Sequence, residues 1–154
     1  MKITTRLPDT QTESLTNLIH AFVERWNRKD LMAFGALFTE DAEFTDVVGQ
    51  IAIGQEAIIE QHEFPFKVVL KDAQLELDDL YFRAIGPAWV MCSAKWRVTG
   101  SQTPKGDMLP PRHGSIQFIL TKESEWKIAL VHNSDFALPF EQKAGFLGKP
   151  PIQG

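Results

Sequence analysis

The spacing of apolar residues changes for good at Pro65, from mainly helical to strand-like, and that change limits the fold more than any other feature. Before it, Leu15, Leu18, Ile19, Phe22, Val23 and Trp26 recur at steps of three and four, which lays apolar side chains along one face of a helix. After it the chain alternates: Val90, Cys92, Ala94, Trp96 and Val98 share one parity, as do Ile116, Phe118 and Leu120, and then Ile128, Leu130 and His132. Period two marks strands with one face on a core. Helices first and long strands afterwards predict an α+β domain, a cone-shaped curved antiparallel sheet wrapped around N-terminal helices and enclosing one inward-facing pocket.

Breakers and caps set the expected boundaries. A first helix spans Thr12 to Trp26, with Asp9, Thr10 and Thr12 available as caps. Asp30 caps a short second helix through Leu31, Phe34, Leu37 and Phe38, closed at Asp41. A strand follows in which Phe44 and Asp46 face one way. Gly49 and Gly54 bracket a return into a third helix, Gln55 to Gln61, which Pro65 keeps from continuing. The remaining runs, Lys67 to Ile85, Ala88 to Thr99, Arg112 to Thr121 and Trp126 to Asp135, read as an antiparallel meander. One domain over 1–136 and a tail over 137–154 are expected.

Composition narrows the function classes. Sixteen basic against 20 acidic residues give a net charge of -4, the wrong sign for a phosphate-backbone binder, so nucleic acid is not an expected partner. The lone Cys92 has no second thiol for a disulfide or a thiolate zinc site. No metal site is expected, since His62, His113 and His132 lie on separate elements without short ligand spacing. No dinucleotide fingerprint appears, and no organic cofactor is required. The N-terminal MKITTRLPDTQTES lacks the apolar core of a signal peptide, and no run approaches the roughly 20 apolar residues of a membrane span. A cytoplasmic protein without a membrane partner is expected. Trp89, Met91, Ile119 and Val131 fall on the outward parity, which predicts a homodimer through that face.

The string FVERWNRKDLMAFGALFTEDAEFTDVVGQIAIGQEAI, from Phe22 to Ile58, and EWKIALVHN, from Glu125 to Asn133, resemble the SnoaL-like and SgcJ/EcaC branch of the nuclear-transport-factor-2-like superfamily. The elements are W-N-x-x-D, F-x-x-D-A-x-F, G-x-x-A-I and W-x-I-x-x-x-H-N, spread from Leu15 to about Asp135. The resemblance implies a fold and leaves the activity open, because this superfold hosts isomerases, dehydratases, cyclases and association domains. Within DAEFTDVVG, Asp46 is placed like the general base of ketosteroid isomerases. Val47 replaces the proline of that pattern, and Phe22 and Ile116 stand where the resemblance would put the two oxyanion donors. Each such donor is worth ~3–4 kcal/mol, so the resemblance does not extend to steroid isomerisation.

Several residues can carry chemistry, and each has a structural alternative. Asp46 either points into the pocket as a base or caps the turn after its strand. His62, taken as the end of the third helix, either pairs with Asp46 or sits there for the helix dipole. His132 either enters the cavity on the parity of Ile128 and Leu130 or is a satisfied core residue. Arg112 either stands at the mouth to attract an anionic group or is a solvated loop arginine. Phe22, Trp26, Phe44, Trp96 and Phe118 either line a pocket for a flat ligand or are plain core. Two functions follow. One is a pocket for a small hydrophobic ring compound in an isomerase, cyclase or dehydratase with Asp46 as base and His62 or His132 assisting. The other is a non-catalytic dimeric association module.

Overall fold

The computed structural model describes residues 1–136; the tail expected over 137–154 lies outside the described residues. Strand β1 (Ile3–Thr4) leads into helix α1 (Asp9–Arg28), whose buried stripe is Leu15, Leu18, Ile19, Phe22 and Trp26. Lys29 ends α1 in the left-handed region, at φ 57°. Asn27 then clamps the helix end to the sheet: its Nδ2 donates to the Leu75 carbonyl at 3.0 Å, and its Oδ1 accepts from the Leu75 N–H at 2.7 Å. The tryptophan–asparagine pair thus has two jobs, Trp26 facing the interior and Asn27 fixing its position.

Asp30 caps α2 (Leu31–Gly35) through the Ala33 N–H. This helix is shorter than its apolar spacing suggested. Phe38, expected in the helix, opens strand β2 (Phe38–Thr45), and Asp41 lies within that strand. Strand β3 (Ile51–Ile53) returns antiparallel to β2. Helix α3 (Gln55–Lys67) continues through Pro65 instead of stopping before it. A proline near the C-terminal end forfeits a single interior hydrogen bond, and the chain closes just beyond, with the Leu70 N–H donating to the Pro65 carbonyl at 2.7 Å.

Four long strands complete the domain: β4 (Gln74–Gly86), β5 (Trp89–Thr99), β6 (Arg112–Lys122) and β7 (Trp126–Asp135). They form the expected antiparallel meander. The full sheet runs β1-β4-β5-β6-β7-β2-β3, with β2 parallel to β7 and β1 parallel to β4. The helices pack on one face, and Phe22 of α1 meets Phe118 of β6 edge-on at 5.0 Å between ring centroids. On β5 and β6 the alternation holds throughout: Val90, Cys92, Ala94, Trp96, Val98, Ile116, Phe118 and Leu120 are all buried.

Strand β7 departs from its sequence pattern. Leu120 pairs with Ile128 and Ile119 with Leu130, so Ala129 is the extra residue of a β-bulge. One extra residue reverses the parity of everything beyond it. Ile128 is buried as expected, but Val131, expected on the outer face, is fully buried, while Leu130 is only half-buried and His132 is exposed. Among the described residues no helix is long and apolar enough to cross a membrane.

Candidate active site

A cavity of about 240 Å³ lies between the helices and the sheet. Phe22 and Trp26 of α1 form one wall, and Gln61, His62 and Pro65 of α3 another. Phe44, Asp46 and Val47 close the β2 side, and Val69, Leu70 and Leu75 the start of β4. The sheet contributes Trp96, Val98, Arg112, Ile116 and Asn133. The lining is mostly apolar with a few polar groups, the usual make-up of a small-molecule site, and its volume lies just under the roughly 300–1,000 Å³ of typical ligand pockets. One or two rings fill it.

Asp46 lies one residue beyond β2, and both of its anticipated placements, at the turn and in the cavity wall, are present. Its Oδ1 accepts from the backbone N–H groups of Val48 at 3.0 Å and Gln50 at 2.9 Å, so it locks the turn into β3. The turn also places the carboxylate in the cavity wall. Oδ2 has no partner among the described residues.

His62 sits in the interior of α3, not at its end, because the helix runs on to Lys67. Its ring is 7% exposed, within 4.6 Å of Phe44, 4.9 Å of Phe34 and 5.4 Å of Phe66, centroid to centroid. Nδ1 lies 2.8 Å from the Ile58 carbonyl oxygen. A carbonyl only accepts, so Nδ1 carries the proton and donates it, leaving Nε2 as the nitrogen available to the cavity. Burial pushes the imidazole below its ordinary pKa, while the Ile58 carbonyl and the Asp46 charge pull the other way. The ring is therefore neutral near pH 7. Asp46 and His62 share the cavity and interact through space without a direct hydrogen bond.

Gln61 precedes His62 on α3. Its Nε2 donates to the carbonyls of Gln50 at 3.2 Å and Phe44 at 3.4 Å, leaving Oε1 buried and unpartnered among the described residues. Sequence reasoning passed over this residue, although it is the immediate neighbour of His62 along α3.

The bulge decides which residue of β7 reaches the cavity. His132, expected inside, lies on the exposed outer face opposite Gln117; Asn133, expected outside, lines the cavity opposite Ile116. His132 thus takes no part in the site. Of the two roles open to Phe118 the structure takes the core one: it is fully buried against Phe22 and is not in the cavity lining. Phe22, Trp26, Phe44 and Trp96 are lining residues as expected.

Arg112 stands at the rim, four residues along β6 from Ile116, or roughly 13 Å at ~3.3 Å per residue. Its Nε and Nη2 both donate to Asp135 Oδ2, at 2.9 and 2.7 Å, and its guanidinium lies 5.8 Å from the Trp96 ring centroid. The charge expected to draw an anionic ligand is already paired. Gly114 leaves room for this arrangement, since a Cβ there would collide with the Trp96 indole and the Ser134 carbonyl. Cys92 is fully buried and its thiol is pushed upward by burial, which leaves it a core residue. Among the described residues no three His, Cys, Asp or Glu side chains converge.

Comparison with known proteins places these features. The family model of the SnoaL-like domain matches residues 19–121. A search of the curated proteins finds no match. Among solved structures, a cystatin-like-fold protein from Caulobacter vibrioides superposes with a TM-score of 0.74 at 25% identity, covering 83% of this chain and 90% of that one. A ketosteroid isomerase-like protein from Erwinia carotovora atroseptica gives 0.72 at 18% identity, over 85% of this chain and 100% of the other. A scytalone dehydratase-like protein from Novosphingobium aromaticivorans gives 0.73 at 13% identity, over 93% of each chain.

Proposed function

Given that the chain belongs to the SnoaL-like family, we propose that it is a cofactor-independent acid–base enzyme that isomerises or dehydrates a small, largely apolar ring compound held in the cavity. The observation that carries this reading is the placement of His62: Nδ1 is fixed to the Ile58 carbonyl and the ring stands in a cavity wall that also holds the Asp46 carboxylate. Sequence reasoning made Asp46 the base. With Oδ1 engaged by two backbone N–H groups, Asp46 fits better as the fixed charge beside a histidine that moves the proton.

In this mechanism Nε2 of His62 accepts a proton from the ligand. The imidazolium that forms keeps its Nδ1–H bond to Ile58 and gains the attraction of Asp46, which lowers the cost of a charge in an apolar wall. Return of the proton to another atom of the ligand completes an isomerisation; its delivery to a departing hydroxyl completes a dehydration. Asn133 is placed to orient a ligand oxygen through its amide, and the aromatic walls exclude water.

A ketone that enolises tests this directly. Incubated with 2-tetralone in deuterated buffer, the protein is expected to accelerate deuterium uptake at the carbon next to the carbonyl, read by mass spectrometry. His62→Phe is expected to lose about 100-fold or more of that acceleration, the contribution of a positioned base. Uptake no faster than in buffer alone removes the enzymatic reading. The association reading keeps support from the exposed Val48, Ile51, Ile53 and Trp89, and light scattering at micromolar concentration checks it: a dimer is expected, and a monomer discards it.

A further inference from the structure

The polar atoms the cavity leaves unused have one chemical character. Around its wall three side chains are partly committed to the protein, and what remains of each accepts hydrogen bonds. His62 donates Nδ1–H to Ile58 and retains Nε2, a lone-pair nitrogen. Asp46 engages Oδ1 with Val48 and Gln50 and retains Oδ2. Gln61 gives its amide N–H groups to Phe44 and Gln50 and retains Oε1, which is buried with no partner among the described residues. Asn133 offers an amide that serves either way. A ligand oxygen that only accepts and cannot become a donor, such as an ether, would meet lone pairs here. A carboxylate would meet the Asp46 charge as well, and the one cation of the lining, Arg112, is taken by Asp135 at the rim.

From this complementarity we infer that the site selects a neutral one- or two-ring compound carrying a hydroxyl, a phenol or an enol, inserted with its O–H toward Nε2 of His62, and that it discriminates against the corresponding acids and ethers. The inference rests on the functional reading above and specifies it: of the two forms of an enolisable ketone the enol is held more tightly, its hydroxyl proton being the one that His62 takes in ketonisation and returns to oxygen in enolisation. Discrimination of this kind is strong because a buried acceptor left without a donor is costly, whereas one extra methyl group in an apolar wall is not.

Three probes of one ring system separate the possibilities by calorimetric titration at pH 7.5. 2-Naphthol brings a donor, is uncharged, and resembles the enol of 2-tetralone without being able to ketonise. 2-Methoxynaphthalene keeps the oxygen and removes the donor, and 2-naphthoate is anionic. 2-Naphthol is expected to bind at least about tenfold more tightly than either, the ratio one charge-assisted or buried hydrogen bond supplies. His62→Phe keeps an aromatic ring among Phe34, Phe44 and Phe66 and is expected to erase the preference while retaining 2-methoxynaphthalene. Asp46→Asn preserves the oxygen that accepts from the turn and exchanges the free oxygen for a donor, so it is expected to narrow the preference even if the histidine variant folds poorly. If 2-methoxynaphthalene or 2-naphthoate binds as tightly as 2-naphthol, or if both variants keep the full preference, the inference is overturned and the pocket reading survives. If none of the three probes binds, both fall.

Discussion

At the inner end of the cavity His62 is packed among Phe34, Phe44 and Phe66 and is held neutral by burial, whereas at the rim Arg112 and Asp135 form an ion pair, with side chains 31% and 17% exposed. Both ends hold polar groups against an aromatic surface, but they handle charge in opposite ways. Near water an ion pair needs little beyond its partner and the Trp96 face. Away from water a group keeps its polarity only by being uncharged and hydrogen-bonded, as His62 is through Ile58. A change of charge at the rim would alter little. At the inner end it perturbs everything nearby, and the charge that acts on His62 is that of Asp46, part-exposed at the turn into β3. The chemistry belongs where the protein has made charge expensive and has set one compensating carboxylate beside it.

This contrast can be broken from the inside first. Phe34 is fully buried against Phe22, Phe38, Phe66 and His62. Phe34→Ala is expected to cost about 3–5 kcal/mol in urea unfolding and to let water reach His62. A loss below about 1 kcal/mol would mean the inner end is not tightly packed. Gly114→Ala tests the packing beneath the rim: the added methyl has no space between Trp96 and Ser134, so a loss of about 1–3 kcal/mol and a shift in tryptophan emission are expected.

The pH dependence separates the two ends directly. His62 has a folded pKa depressed mainly by burial, so the unfolded chain takes up the proton more readily than the folded one. Stability from this group is then complete above the unfolded value of about 6.5 and is lost as pH falls below it. His62→Phe is expected to flatten that part of the curve measured by denaturant midpoints between pH 7.5 and 5; an unchanged slope would show that His62 is not held neutral by the fold. The smallest effect is at the rim. Asp135→Asn breaks a half-exposed pair and is expected to cost under about 1 kcal/mol and to shrink further in salt.

The order of elements and the inward faces of β5 and β6 were legible in the sequence because those strands carry no irregularity facing the helices: Val90 through Val98 alternate without interruption and all point inward. Strand β7 was not, because a bulge at Ala129 needs no special residue and leaves no mark in the alternation before it. That one feature misplaced His132, Leu130 and Val131 and hid Asn133. The role of Asp46 was legible in both of its forms, since a carboxylate at a strand end before Val-Val-Gly suits a turn and a cavity wall alike. His62 was identified by type and missed in position, because Pro65 was read as a stop and α3 runs through it. What a sequence pattern conveys is which side chains alternate, and tertiary pairing decides where the count restarts.

The bulge also bears on how such a pocket changes over generations. Substitution at position 132 alters a surface residue, and substitution at 133 alters a pocket residue, each one at a time. Loss of the single residue Ala129 would remove the bulge and leave the later pairings as they are, Leu130 with Ile119 and Asn133 with Ile116, so that His132 stays outside and Asn133 stays in the cavity wall. Pairing Ala129 with Ile119 instead would slip the rest of the strand by one residue and turn it over together, setting the imidazole of His132 in the cavity, opposite the helix that carries His62. A shortened β7 can therefore keep this pocket, whereas an unbulged β7 of the same length would build a two-histidine one, and within a lineage the residues of this strand are to be compared by their partners on β6 before their letters.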